Sequence, residues 1–97
     1  MKESMKIYIS GAISDNPNYK AEFAEAEKKL KAKYPNAEIV NPARLVKDTG
    51  NEVENFKAAF RLLMKCNAIA SIRDRASMGF WSENFYANRC NYKVISF

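Results

Sequence analysis

The stretch Met5-Lys6-Ile7-Tyr8-Ile9-Ser10-Gly11 sets the frame for the rest of the chain. Met5 to Ser10 reads as a strand in which Ile7, Tyr8 and Ile9 form an unbroken apolar run. A strand with one wet face alternates apolar and polar residues. An unbroken run suits a central parallel strand covered on both faces. Gly11 ends the strand, and Ala12 to Asn18 is a loop rich in turn formers.

A helix is predicted next. Asn16 can cap it, Pro17 fits its first position, and it runs to about Lys33. Tyr19, Phe23, Ala26 and Leu30 follow the 4-3-4 spacing of one buried stripe. Pro35 and Asn36 break the helix, Ala37 to Val40 is a second short strand, and Asn41-Pro42 ends that strand. Arg44 to Gly50 is predicted as a loop. Asn51 to Lys65 is predicted as a second helix with Val53, Phe56, Phe60 and Leu63 on one side. Ala68 to Ile72 is a third strand and Arg73 to Ala76 a charged loop. A third helix starts at Ser77 or Met78 and reaches about Arg89, and Tyr92 to Phe97 is a fourth strand. The order β-α-β-α-β-α-β implies an α/β fold with a parallel sheet of about four strands, joined by right-handed crossovers. In such sheets a ligand sits beyond the carboxyl ends of the strands, where strand order reverses. The loops at Gly11 to Asp15 and Arg73 to Ser77 are those places.

The 97 residues favour one domain, 1–97, with a modest core that oligomerisation would help. Apolar residues at 47% and charged residues at 28% give a globular balance. No run approaches the roughly 18 apolar residues of a membrane span. Met1 to Met5 is too short and polar for a signal peptide, so the expected location is the cytoplasm, away from membranes. Cys66 and Cys90 stand far apart and read as buried thiols rather than as a disulfide or metal pair. Histidine is absent, which removes imidazole acid–base chemistry and most zinc sites. The net charge of +5 points to an anionic partner. The lysines of the first helix (Lys20, Lys28, Lys29, Lys31 and Lys33) are mixed with Glu22, Glu25 and Glu27, however. That mixture reads as a solvated face in preference to a nucleic-acid stripe. No recognised DNA- or RNA-binding motif is present, so nucleic acid is not the expected partner.

Three constellations could carry chemistry. The first is Tyr8-Ile9-Ser10-Gly11-Ala12-Ile13-Ser14, where Gly11 lets backbone approach a ligand. It lacks the further glycines of a dinucleotide fingerprint, and a plain turn glycine is the preferred reading. The second is Arg73-Asp74-Arg75-Ala76-Ser77-Met78-Gly79, ahead of a helix whose free amides and dipole suit a phosphate. There Ser77 can donate, Gly79 keeps the approach open, and Arg73 and Arg75 add charge-assisted bonds. The phosphate reading is preferred over a plain capping serine. The third is Glu83, six residues past Ser77, with Phe80, Trp81, Phe85 and Tyr86 nearby. Aromatic surroundings would raise its pKa, and a carboxylate can attack an anomeric carbon. From spacing alone a surface glutamate is the preferred reading.

The residues also carry a resemblance. Ser77-Met78-Gly79-Phe80-Trp81-Ser82-Glu83 resembles the serine, glycine and glutamate element of the nucleoside 2-deoxyribosyltransferases and the related 2'-deoxynucleoside 5'-phosphate N-hydrolases. Lys6-Ile7-Tyr8-Ile9-Ser10-Gly11 resembles the first strand of the same group. A short bacterial and phage family in that superfamily is closer still. It shares Ile7 to Gly11, Phe23-Ala24-Glu25-Ala26-Glu27, Val40-Asn41-Pro42-Ala43, Leu62-Leu63 with Cys66, and the Ser77/Gly79/Glu83 spacing. The resemblance implies a three-layer, flavodoxin-like sheet with helices on both faces, and homo-oligomers. It implies cleavage or exchange at the N-glycosidic bond of a deoxynucleoside or its 5'-phosphate, without metal or organic cofactor. It makes Glu83 the nucleophile toward C1', Tyr8 the tyrosine beside it, Ser77 the phosphate ligand and Gly11 part of the loop facing base and sugar. Asp74 could stand in for a carboxylate that the pattern otherwise lacks. The family often has aspartates where this chain has Ala59 and Asn67, a proline at Ala12, and a tryptophan–glycine pair within Arg73 to Ala76. The alternative is a nucleotide-binding module that senses or sequesters a phosphorylated nucleotide with little or no turnover.

Overall fold

Ile7, Tyr8 and Ile9 form the buried middle of the sheet in a computed structural model that describes residues 5–11, 17–47, 49–72 and 78–95. The elements are β1 (Lys6–Ser10), α1 (Tyr19–Lys33), β2 (Glu38–Val40), α2 (Pro42–Leu45), α3 (Glu52–Met64), β3 (Ala68–Ser71), α4 (Met78–Arg89) and β4 (Lys93–Ile95). The strands lie in the order β2-β1-β3-β4 and every pairing is parallel. This is the three-layer α/β arrangement of flavodoxin-like folds, with strand order reversing between β1 and β3.

The pleat of β1 explains its unbroken apolar run. Ile7 and Ile9 pack with Phe23, Ala26 and Leu30 of α1 on one face. Tyr8 packs with Leu63 and Ala87 of α3 and α4 on the other. β3 repeats the pattern, sending Ala68 and Ala70 toward α1 and Ile69 toward α3 and α4. Successive side chains of a strand point to opposite faces, so a strand buried twice needs apolar residues at every position. No described helix is long and apolar enough to cross a membrane.

Several boundaries differ from expectation, each for a local reason. α1 starts at Tyr19 after Asn18, so Pro17 precedes the helix instead of opening it, and Asn16 lies outside the described residues. The expected loop from Arg44 begins inside a short helix. Asn41 Oδ1 accepts from the Ala43 N–H at 3.0 Å and Pro42 takes the first helical position. The same Asn-Pro pair that stops β2 therefore starts α2. Glu27 of α1 holds this turn, accepting from Asn41 Nδ2 at 3.0 Å and pairing with Arg44. α3 is capped by Asn51, whose Oδ1 accepts from the Val53 and Glu54 amides. Its buried side runs through Ala59 and Leu63, whereas Val53, expected on that stripe, is 60% exposed. Of the cysteines, both are free; Cys66 is buried as expected and Cys90 is exposed. α4 closes on Asn91 at φ 58°, with the Tyr92 amide donating to the Ala87 carbonyl at 2.9 Å. That pattern is a left-handed helix C-cap.

Candidate functional site

The carboxyl ends of β1 and β3 lie side by side, and their register pairs Ser10 with Ser71. Tyr8 and Ser10 are two residues apart, so both project to the face covered by α4, as Ser71 does from the neighbouring strand. α4 completes the site. Glu83 and Ala87 are four residues apart and share its inward side, so the helix that buries Ala87 in the core also buries Glu83.

Glu83 is 6% exposed and both carboxyl oxygens are occupied. Tyr8 O–H donates to Oε2 at 2.5 Å, and Ser10 O–H donates to Oε1 at 2.8 Å. Asn84 sits beside it: Ser71 O–H donates to Asn84 Oδ1 at 2.8 Å, and Asn84 Nδ2 donates to Ser10 Oγ at 3.3 Å. Five side chains from β1, β3 and α4 thus form one connected polar cluster at the point where strand order reverses. No buried side-chain polar atom among the described residues lacks a partner.

Burial decides the electrostatics. It pushes the Glu83 carboxyl up to about 7, even though the hydrogen bonds from Tyr8 and Ser10 pull the other way. Burial also raises the Tyr8 phenol well above its usual value, and the adjacent Glu83 charge adds to that rise. Tyr8 therefore keeps its proton and acts as a donor while Glu83 changes charge near neutrality. A carboxyl that passes between acid and carboxylate at that pH can serve as proton donor, base or nucleophile. Cys66, in the same core layer, is raised to about 11 chiefly by burial and stays a neutral thiol.

Two anticipated residues, Tyr8 and Glu83, are thus brought into direct contact, and the surface reading of Glu83 is set aside. Of the anticipated aromatic surround, the side chains of Phe80 and Trp81 lie outside the described ones, and the other two do not enclose Glu83. Tyr86 turns toward Phe60, and Phe85 is 69% exposed and faces away. Gly11 lies directly after β1, where a Cβ would come 3.2 Å from both Ile72 Cβ and Phe23 Cζ. Close helix–strand packing accounts for a glycine there. Gly79 falls in the first turn of α4. Arg73, Asp74, Arg75 and Ser77 lie outside the described residues. Asn67, where the resembled family often has an aspartate, is at the opposite pole of the sheet and accepts from the Lys6 amide at 2.8 Å. Four strand steps of roughly 3.3 Å separate it from Ser71. Ala59 is buried on the inward side of α3.

Ser10, Ser71 and Asn84 were not anticipated as site residues. The available signal was a serine at the end of each of two apolar strands, with an asparagine adjoining Glu83. The pairing of those strands was needed to give that signal meaning. No three described acidic or cysteine side chains converge as a metal site.

The chain belongs to the family described as Domain of unknown function (DUF4406), whose model matches residues 5–96. No curated protein matches it.

Proposed function

We propose that this DUF4406 member cleaves the N-glycosidic bond of a deoxynucleoside or its 5'-phosphate, with Glu83 as the attacking carboxylate. The observation that carries the reading is the buried Glu83 carboxyl, held by Tyr8 and Ser10 at the reversal point of the sheet. A Glu83 oxygen bonds to C1' while the C1'–N bond breaks. The base leaves with the bonding pair and takes a proton from water. Hydroxide equivalent from water, or the nitrogen of an acceptor base, then attacks C1' and releases the carboxylate. Tyr8 and Ser10 hold the carboxylate in place and favour its ionised form. In this reading Ser77, with Arg73 and Arg75, binds the 5'-phosphate at the start of α4, and Gly79 leaves room for the ligand. The protein works as a homo-oligomer, for which the exposed apolar side chains of Val53, Met64 and Phe85 offer surface. Sedimentation tests that part.

The test is chromatographic detection of free base from the four deoxynucleoside 5'-monophosphates and their nucleosides, with and without an acceptor base. Product is expected from the wild-type chain and none from Glu83→Gln. Equal product from both refutes the mechanism. One observation favours a second reading, a nucleotide-binding module without turnover. No second described carboxylate is bonded to Tyr8, Ser10 or Glu83, and position 59 is alanine. Loss of an acid–base group costs on the order of 10²–10⁴ in rate. A nucleotide that raises the melting temperature while no base is released supports the binder.

A further inference from the structure

Ser10 presents one proton and two lone pairs on a hydroxyl that rotates freely about its C–O bond. Nothing in Ser10 itself aims that proton at Glu83. Its surroundings do. Asn84 Nδ2 lies 3.3 Å from Ser10 Oγ and can only donate, so the serine oxygen accepts there. The serine proton is then left for Glu83 Oε1 at 2.8 Å. The same question arises one link further out, because an asparagine amide can be turned end for end. Turned over, Asn84 would offer its carbonyl oxygen to Ser10 and draw the proton away from Glu83. An ionised Glu83 can only accept, so it draws the Ser10 proton and selects the orientation in which the Asn84 nitrogen faces Ser10; Ser71 O–H completes that arrangement by donating to Asn84 Oδ1 at 2.8 Å.

We infer that Asn84 and Ser71 are positioning residues that set the direction of a hydrogen-bond chain running Ser71 to Asn84 to Ser10 to Glu83. The chain is built into the fold at three levels. Ser10 and Ser71 are register partners on adjacent parallel strands, so their hydroxyls emerge side by side. Ser10 is fully buried and Ser71 is 9% exposed, so water competes little for either hydroxyl. Asn84 directly follows Glu83 on α4, so one helix position sets the distance of both residues from the strands. Every link donates toward the carboxyl, which favours its ionised form. Tyr8 is the titratable side chain that faces Glu83 from β1, and it donates to the other oxygen. The inference concerns the direction of the chain and stands whether or not Glu83 attacks a sugar.

The test follows the Glu83 side-chain carboxyl carbon by NMR through a pH titration, in protein labelled at glutamate, with the resonance assigned by its loss in Glu83→Gln. Ser10→Ala removes the last donor and is expected to move the titration upward by about one pH unit, the worth of one hydrogen bond to a charged group. Asn84→Ala frees the serine to turn and is expected to move it upward by a smaller, measurable amount. Ser71→Ala is expected to shift it in the same direction. Ser10→Thr, which keeps the hydroxyl, is expected to restore the wild-type midpoint. A folded Asn84→Ala and a folded Ser71→Ala that both titrate at the wild-type midpoint overturn the inference. If Asn84→Ala does not fold, Ser71→Ala alone decides it by the same criterion. The titration is readable in a protein that turns over nothing, so failure of the proposed activity leaves this result distinct.

Discussion

Replacing Glu83 with glutamine should make the protein more stable in a pH-dependent way. Burial raises the carboxyl from its ordinary 4.5 to about 7. The folded protein therefore holds that proton more tightly than the unfolded chain does. Below about pH 4.5 both states are protonated and there is no penalty. As pH rises from 4.5 to 7 the unfolded chain has lost the proton and the folded chain retains it, so stability falls with pH. Above 7 the penalty is complete. At 1.36 kcal/mol per unit, it amounts to about 3 kcal/mol, a large share of what a domain of this size can spare. A glutamine side chain carries no charge at any pH and avoids the penalty. Urea unfolding followed by circular dichroism, on both proteins at pH 4.5, 6 and 8, checks this. Other carboxyls titrate alike in the two chains and cancel in the difference. The gap should widen by about 3 kcal/mol in favour of Glu83→Gln between pH 4.5 and 8. A constant offset from amide–hydroxyl rearrangement does not matter, since only the change with pH is read. Parallel curves would refute the reasoning, because they would mean that Glu83 titrates as an ordinary exposed carboxyl.

Tyr8→Phe deletes the donor to Glu83 Oε2, and should raise the Glu83 titration by about one pH unit, as read by carboxyl NMR. The variant should lose more stability at pH 8 than at pH 4.5. Gly11→Ala places a Cβ against Phe23 and Ile72 at 3.2 Å, and should lower stability by about 1 kcal/mol in thermal melts. Adding Phe23→Leu should then cost less than Phe23→Leu does alone, because the substitution relieves the clash. Asn91→Val forces a branched side chain into φ 58° and should cost about 1–2 kcal/mol, whereas Asn91→Gly should be neutral or stabilising; urea midpoints distinguish the two.

Much of the architecture was legible because its causes are local. Ile7, Tyr8 and Ile9 announce a strand buried on both faces whatever lies on either side. Phe23, Ala26 and Leu30 announce a buried helical stripe by spacing alone, and Asn51 announces a helix start by its capping chemistry. The errors were local ambiguities as well. Asn41-Pro42 both stops a strand and starts a helix, and only the anchor at Glu27 shows which role dominates after Pro42. Val53 fits the apolar stripe of α3 by spacing, but it lies in the first turn of the helix and is exposed, while the buried side runs through Ala59 and Leu63.

The site was legible only in outline. The residue types of Tyr8 and Glu83, and their placement at a strand and a helix, could be read from the sequence. Their contact could not, because 75 residues separate them and the rotation of α4 decides whether position 83 faces the sheet or the water. Tertiary structure alone disclosed Ser10, Ser71 and Asn84 as one chain of donors. Ser10 meets Ser71 through the register of two parallel strands, which no local propensity encodes. The direction of the hydrogen bonds follows from an amide nitrogen that can only donate and an ionised carboxylate that can only accept. Periodicity and capping are properties of a few neighbouring residues and survive in the sequence. Burial, and the pKa that burial imposes on Glu83, is a property of everything that packs around it.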